Sequence, residues 1–191
     1  MLRVALAAVA LTGCHLVFPL EEFVRGPVGY YSFEGDVLAD SSGGEHHGSC
    51  VINNCPVRVA GRVGSGARFD GDDLIDVPHD PDFMTIDAVT VTFWMQLDGQ
   101  TPGCPVNKLY GPDEENAWQL CIQGDGSAFF FSAGAEAARS FGGDSTQWHH
   151  FAMRWDGRAQ FKSLWIDGLV VNGLVSPLPI DGMPLVFGAD R

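Results

Sequence analysis

Between Gln147 and Gly168 apolar and polar residues alternate with a period of two. Phe151, Met153 and Trp155 fall on one side, and Trp148, His150, Ala152 and Arg154 on the other, the pattern of a half-buried strand. After Asp156-Gly157 the alternation resumes. Leu164 and Ile166 share one face, Phe161, Ser163 and Trp165 the opposite one, and Asp167-Gly168 ends the run. Both dipeptides are turn formers, so the stretch predicts antiparallel strands with a dry and a wet face. Val89 to Leu97 is a further clear strand, with Val89, Val91, Phe93, Met95 and Leu97 facing one way and Thr90, Thr92, Trp94 and Gln96 the other.

Shorter runs predict strands at Val28–Phe33, within Arg58–Phe69, and at Leu74–Val77, Val106–Tyr110, Ala117–Gln123, Ala128–Ser132, Leu169–Val175 and Leu185–Phe187. Gly, Asp and Pro separate them, and helical periodicity is absent after Leu11. Gly61-Arg62-Val63-Gly64-Ser65-Gly66 is not a dinucleotide fingerprint, because no helix pattern follows it. Many short, evenly spaced strands predict an all-β, two-sheet antiparallel sandwich.

The 191 residues fit one such domain, and 13 Phe with 5 Trp are enough for a substantial core. The net charge of −13 excludes a phosphate-backbone partner, so no nucleic acid is expected.

Trp148-His149-His150 followed by Leu164-Trp165-Ile166-Asp167-Gly168 resembles the signature of LamG-like jelly rolls, the concanavalin A-like superfamily related to laminin G and pentraxin domains. The resemblance extends upstream to Gly29-Tyr30-Tyr31-Ser32-Phe33-Glu34-Gly35 with Asp40-Ser41-Ser42-Gly43, and to Gly64-Ser65-Gly66-Ala67-Arg68-Phe69-Asp70-Gly71 with Val89 to Trp94. It covers roughly residues 28 to 190 and implies a jelly-roll sandwich. It leaves function open, because one fold hosts many activities. In that family the stretch matching Leu185 to Asp190 leads into a closing strand beside the first. Here the chain stops at Arg191. The resemblance therefore implies a missing C-terminal closing strand and an open edge at Tyr30, Tyr31 and Phe33, expected either of a truncated sequence or of strand donation from another chain.

Residues 1–13 carry one charge at Arg3, an apolar run from Val4 to Leu11, and small residues before Cys14, the order of an export signal. Leu11-Thr12-Gly13-Cys14 resembles the bacterial lipobox, which implies acylation of Cys14 and a membrane contact through the lipid anchor only. His15 in place of Asp resembles outer-membrane sorting, so the expected location is the bacterial outer membrane or cell surface. Removing residues 1–13 takes away Arg3 alone, leaving −13 − 1 = −14. Residues 14–27 read as a tether and 28–191 as the LamG-like domain.

Four further cysteines in an exported chain suggest pairing, with three possible connectivities. Cys50 and Cys55 close a short loop around Asn53-Asn54, and Cys104 and Cys121 bracket a candidate hairpin, which favours 50–55 and 104–121. The competing reading is a metal site from His46, His47, Cys50 and Cys55, although no Cys-x-x-Cys pair is present. No motif places a base near Cys104 to make it a nucleophile.

Glycoside hydrolysis needs two carboxylates about 5–10 Å apart. The Glu-x-Asp-x-x-Glu run of the jelly-roll glucanases that this chain resembles is missing, so the expectation is no enzyme. His149 and His150 read as packed, hydrogen-bonded strand residues. Calcium is a candidate cofactor, since acidic loops supply oxygen ligands. Pentraxin-like relatives imply Glu115 and Asn116 in the Asp113–Asn116 loop, with Asp190 near the second ligand loop. Glu34, Asp36 and Asp40 form an alternative set. Trp94, Trp148 and Trp165 lie opposite the apolar faces of their strands, where they could stack on sugar rings or be covered by loops or a small extra sheet. The function expected is a surface-anchored, non-catalytic module whose partner is a glycan or a cell-surface protein. The alternatives are a structural envelope or adhesion component without small ligand and a glycoside hydrolase-like enzyme.

Overall fold

The computed structural model describes residues 26–84, 87–97, 102–110, 115–123, 127–132, 135–140, 144–174 and 182–188. The chain is an all-β, antiparallel sandwich. A two-stranded ribbon pairs β1 (Val57–Ala60) with β2 (Ser65–Arg68). One main sheet has the order β11-β10-β9-β4, from β4 (Ala88–Met95), β9 (His149–Asp156), β10 (Phe161–Ile166) and β11 (Leu169–Leu174). The other has six strands in the order β3-β12-β5-β6-β7-β8: β3 (Ile75–Val77), β5 (Gly103–Tyr110), β6 (Glu115–Ile122), β7 (Ser127–Ser132), β8 (Ala135–Ser140) and β12 (Leu185–Phe187).

Register turns the alternation of the sequence into rows of core side chains. On the four-stranded sheet Phe93, Phe151 and Ile166 form one cross-strand row, and Val91, Met153 and Leu164 the next. Phe93 and Phe151 stack with ring centroids 5.5 Å apart. Ile75, Phe187, Val106, Leu120 and Phe130 form the facing row on the six-stranded sheet. Phe151, Phe130, Leu120 and Leu164 are fully buried. Burying such a side chain is worth about 1.5–3 kcal/mol, and these rows hold the two sheets together.

Asp167 and Gly168 both have positive φ, 51° and 79°, and join Ile166 to its partner Leu169. That is the two-residue primed turn matching the strand twist, which explains the Asp-Gly pair. Both disulfides, Cys50–Cys55 and Cys104–Cys121, are formed. Cys104 lies at the irregularity between Gly103 and Val106, opposite the β6 strand that carries Cys121.

Two expectations need correction. Val28–Phe33 forms no strand ladder, because its polar groups are taken locally. The Tyr30 N–H donates to Asp40 Oδ1 (2.9 Å), its carbonyl accepts from Ser41 N–H (2.7 Å), and Tyr31 Oη donates to the His46 carbonyl (2.6 Å). Tyr31 and Phe33 nevertheless pack against the core, and the Tyr31 ring meets Phe187 edge-on at 4.9 Å. The second is β8, which the hydrophobic pattern does not announce. Residues 189–191 lie outside the described residues.

Candidate functional site

The Trp-His-His motif begins β9, and its two histidines point to opposite sides. His149 is buried. Its Nδ1 meets Asp167 Oδ2 at 2.6 Å and its Nε2 the Asp144 carbonyl at 3.0 Å. Both partners are acceptors, so both ring nitrogens donate and the ring is held as imidazolium. Burial alone would lower the His149 pKa, but the Asp167 hydrogen bond and charge and the Asp144 carbonyl outweigh it, and the net shift is upward. Asp167 is likewise pushed up by burial, yet held below the usual carboxylate range by His149 and by the His150 N–H, which donates to Oδ1 at 2.9 Å. The clamp ties the start of β9 to the β10–β11 turn. A general base needs a lone pair, and His149 has neither nitrogen to spare.

His150 faces outward beside Trp94, its cross-strand partner, with ring centroids 5.2 Å apart and edge to face. Trp94 is 44 % exposed on the edge strand β4. The Arg62 guanidinium, from the β1–β2 turn, lies 5.2 Å over the Trp94 ring. Glu34 fixes that turn, accepting from Ser65 N–H (2.8 Å) and Ser65 Oγ (3.1 Å). Gly64 beside it has φ 61°, which favours glycine, and a Cβ there would displace the Glu34 carboxylate from Ser65.

Trp165 shares the outer face with Trp94. Its row is Thr92, Ala152, Trp165, Val170, and two strand spacings with a two-residue offset put the two Cα positions roughly 12 Å apart. Arg154 lies in the next row, bonded to Asp156 at 2.5 Å and 5.3 Å from the Phe161 ring. Trp148 goes elsewhere. It is half-buried, and its ring lies 3.9 Å from where a Gly66 Cβ would stand, against the small β1–β2 ribbon. The outer surface thus keeps Trp94 and Trp165, flanked by His150, Arg62 and Arg154.

The acidic loop has a different use from the one its composition suggests. Asp40 Oδ1 accepts from the N–H groups of Tyr30 and Ser42, and Oδ2 from Ser42 Oγ and His46 N–H. Four donors fill the acceptor capacity of a carboxylate. Asp36 Oδ1 caps Leu38 N–H, and Glu34 is engaged with Ser65. The structure does not bring Glu34, Asp36 and Asp40 together as ligands. Among the described residues, the groups whose ligand atoms lie within 4.8 Å of one another are His46, Asp80 and Asp82, and Asp70, Asp72 and Asp73. The second is the contiguous run Asp70-Gly71-Asp72-Asp73, whereas the first was not visible as a cluster in the sequence, because it joins segments 34 residues apart. Of the other calcium set, Asp113 and Asp190 lie outside the described residues, as does Cys14, and Glu115 and Asn116 are placed only as backbone of β6. The metal reading with Cys50 and Cys55 is excluded by their disulfide, and His47 Nδ1 accepts from Asp40 N–H (3.0 Å). Among the described residues no helix is long and apolar enough to cross a membrane.

Comparison with solved structures shows the same fold in proteins of low identity. The binding domain of Paraclostridial Mosquitocidal Protein 1 is similar with a TM-score of 0.63 at 16% identity, over 85% of this chain and 43% of that one. This chain therefore spans less than half of that structure. Domain 4 of AbnA, a GH43 extracellular arabinanase from Geobacillus stearothermophilus solved in complex with arabinotriose, is similar with a TM-score of 0.58 at 17% identity, over 85% of this chain and 83% of that one. No curated protein matches the chain. A family profile described as the Concanavalin A-like lectin/glucanases superfamily, of the laminin G type, matches residues 69–191 and so takes in β3 to β12, the His149 clamp and the Trp94 face: the chain belongs to that family.

Proposed function

We propose that this domain is a non-catalytic glycan-binding module, held at the bacterial cell surface by a lipid on Cys14. The observation that carries the reading is Trp94, a large indole left 44 % exposed on an edge strand with Arg62 over it and His150 at its rim. An aromatic face flanked by hydrogen-bond donors is what stacking on a sugar ring requires. A bound ring takes the place of the guanidinium, which then donates to hydroxyls. Trp165 supplies a second platform on the same face. The arabinotriose bound to the similar arabinanase domain supports this class of ligand, and the similar toxin binding domain supports a binding role without naming a ligand.

Absence of catalysis is supported by the engagement of both His149 nitrogens. Calcium belongs to the proposal at Asp113, Glu115, Asn116 and Asp190, and a melting temperature unchanged between EDTA and millimolar calcium would remove it.

The test is a polysaccharide and glycan-array panel, arabinan included, read against Trp94→Ala. Binding that weakens by about tenfold or more, the loss of one stacking platform at about 1–3 kcal/mol per ring, is expected. Trp94→Ala bound as tightly as the parent, or no glycan retained at all, would end the reading and leave a structural envelope component. Hydrolysis of any panel member would revive an enzyme.

A further inference from the structure

We propose that His46, Asp80 and Asp82 form a binding site for a borderline transition-metal dication, Zn2+ in the first instance, which staples the N-terminal loop to the β3–β4 connection. The His46 side chain is only 6 % exposed, although it sits in a loop. Its Nδ1 lies 2.9 Å from the Val28 carbonyl, an obligate acceptor, so Nδ1 carries the proton, with Asp40 Oδ2 behind it at 3.4 Å. In the neutral ring Nε2 is then a lone pair. It is aimed at Asp80 Oδ1 at 3.5 Å and Asp82 Oδ2 at 3.9 Å, two acceptors that are too far for good hydrogen bonds. Two carboxylates and a ring nitrogen converging on one point need a cation between them, a proton on Nε2 or a metal ion, and separations of 3.5 and 3.9 Å are long for an N–H hydrogen bond but leave room for the ion.

The spacing fits such an ion. Ligand bonds of about 2.0–2.2 Å at tetrahedral angles put neighbouring ligand atoms roughly 3.4 Å apart, close to the two distances seen here. A nitrogen ligand argues against calcium, which takes oxygen, and imidazole with carboxylates suits zinc. The supports are those of a metal ligand. A backbone carbonyl sets the His46 tautomer, and Phe83 packs on its ring with centroids 4.7 Å apart. Asp80 is oriented by accepting Asp82 N–H (2.9 Å) at the start of the Pro81–Phe83 turn. Asp80 and Asp82 are 43 % and 67 % exposed, which leaves the fourth position open to solvent. Asp70, Asp72 and Asp73, the other group, have no such buried side chain aimed into them and carry no proposal.

The test is calorimetric titration of the disulfide-intact full chain with ZnCl2, with melting curves beside it, in a Cys14→Ser background to remove a competing thiol. One equivalent of Zn2+ should bind and raise the melting temperature. Asp82→Asn, which alters an exposed side chain, should weaken binding at least tenfold, His46→Gln further, and Asp72→Asn not at all. Co2+ in place of Zn2+ should give a visible absorption band that Asp82→Asn removes. Zn2+ bound equally by Asp82→Asn, no binding at a tenfold excess, or a larger stabilisation by Ca2+ than by Zn2+ would each overturn the site. None of these readouts depends on a glycan.

Discussion

Asp40→Asn should destabilise the domain by about 2–3 kcal/mol, a large effect for an isosteric loop substitution. Burial by itself would raise the Asp40 pKa, but the donors on Tyr30, Ser42 and His46 reverse that and hold it at about 2, against 3.8 when unperturbed. A carboxyl held that far below its ordinary 3.8 corresponds to about 2 kcal/mol. The side chain has no accessible surface, so solvent screening removes little of this. A depressed carboxylate pKa gives stability that is present above pH 3.8 and lost as pH falls through about 2. Asparagine keeps the shape but offers one acceptor oxygen, leaving two of the four donors facing an amide N–H2. Urea unfolding at pH 7 should show the loss directly, and the melting temperature should fall by about 5–10 °C for a domain of this size. Between pH 5 and pH 1 the parent should lose more stability than the variant, by about the same 2 kcal/mol. A variant within about 0.5 kcal/mol of the parent at pH 7, or one whose acid profile runs parallel to it, would show that the loop is not held by this carboxylate.

The His149–Asp167 clamp has the opposite sign for its histidine. A raised His pKa gives stability that is complete below about pH 6.5 and lost as pH rises through the folded-state value, while the lowered Asp167 pKa gives stability lost in acid. Since Asp167 is half exposed, about 1 kcal/mol is expected after screening, or about 2–4 °C between pH 6 and pH 9. His149→Gln should flatten that slope, and an unchanged slope in the variant would contradict the imidazolium assignment. Cys14→Ser, in cells, should move the protein from the detergent-extracted membrane fraction to the soluble one, and unchanged fractionation would end the proposed anchor.

What was legible in the sequence is what depends on neighbours two residues apart. The period of two in Val89–Leu97 and in 148–166 specifies which side chains face the core, and register follows because a one-residue slip would expose Phe151, Met153 and Trp155 together. The Asp167-Gly168 turn was legible for the same reason, its geometry being a property of two residues. β8 was not. Ala135-Glu136-Ala137-Ala138-Arg139-Ser140 has weak strand propensity, and only its pairing with β7 makes it a strand. Val28–Phe33 errs the other way, with aromatic, strand-like composition that loses its ladder because Asp40 and Ser41 take the hydrogen bonds of Tyr30.

The candidate site divides along the same line. Period two puts Trp94 and Trp165 on an outer face, but whether an outward indole stays open depends on what the rest of the chain lays over it, and no local pattern encodes that. The β1–β2 ribbon lies against Trp148 at Gly66 and places Arg62 over Trp94, and its position rests on Glu34, some 30 residues before the Ser65 it binds. Composition misleads most in the acidic loop. Asp40 looks like an oxygen ligand for calcium, yet backbone N–H groups reach it first, and a carboxylate whose lone pairs are spent on the fold has none left for an ion. By fixing the loop, however, those bonds set the His46 backbone and place the ring so that Nε2 points out at Asp80 and Asp82. The acidic residue that seemed the ligand is thus a support, and the ligands gather where its hydrogen bonds hold the neighbouring imidazole.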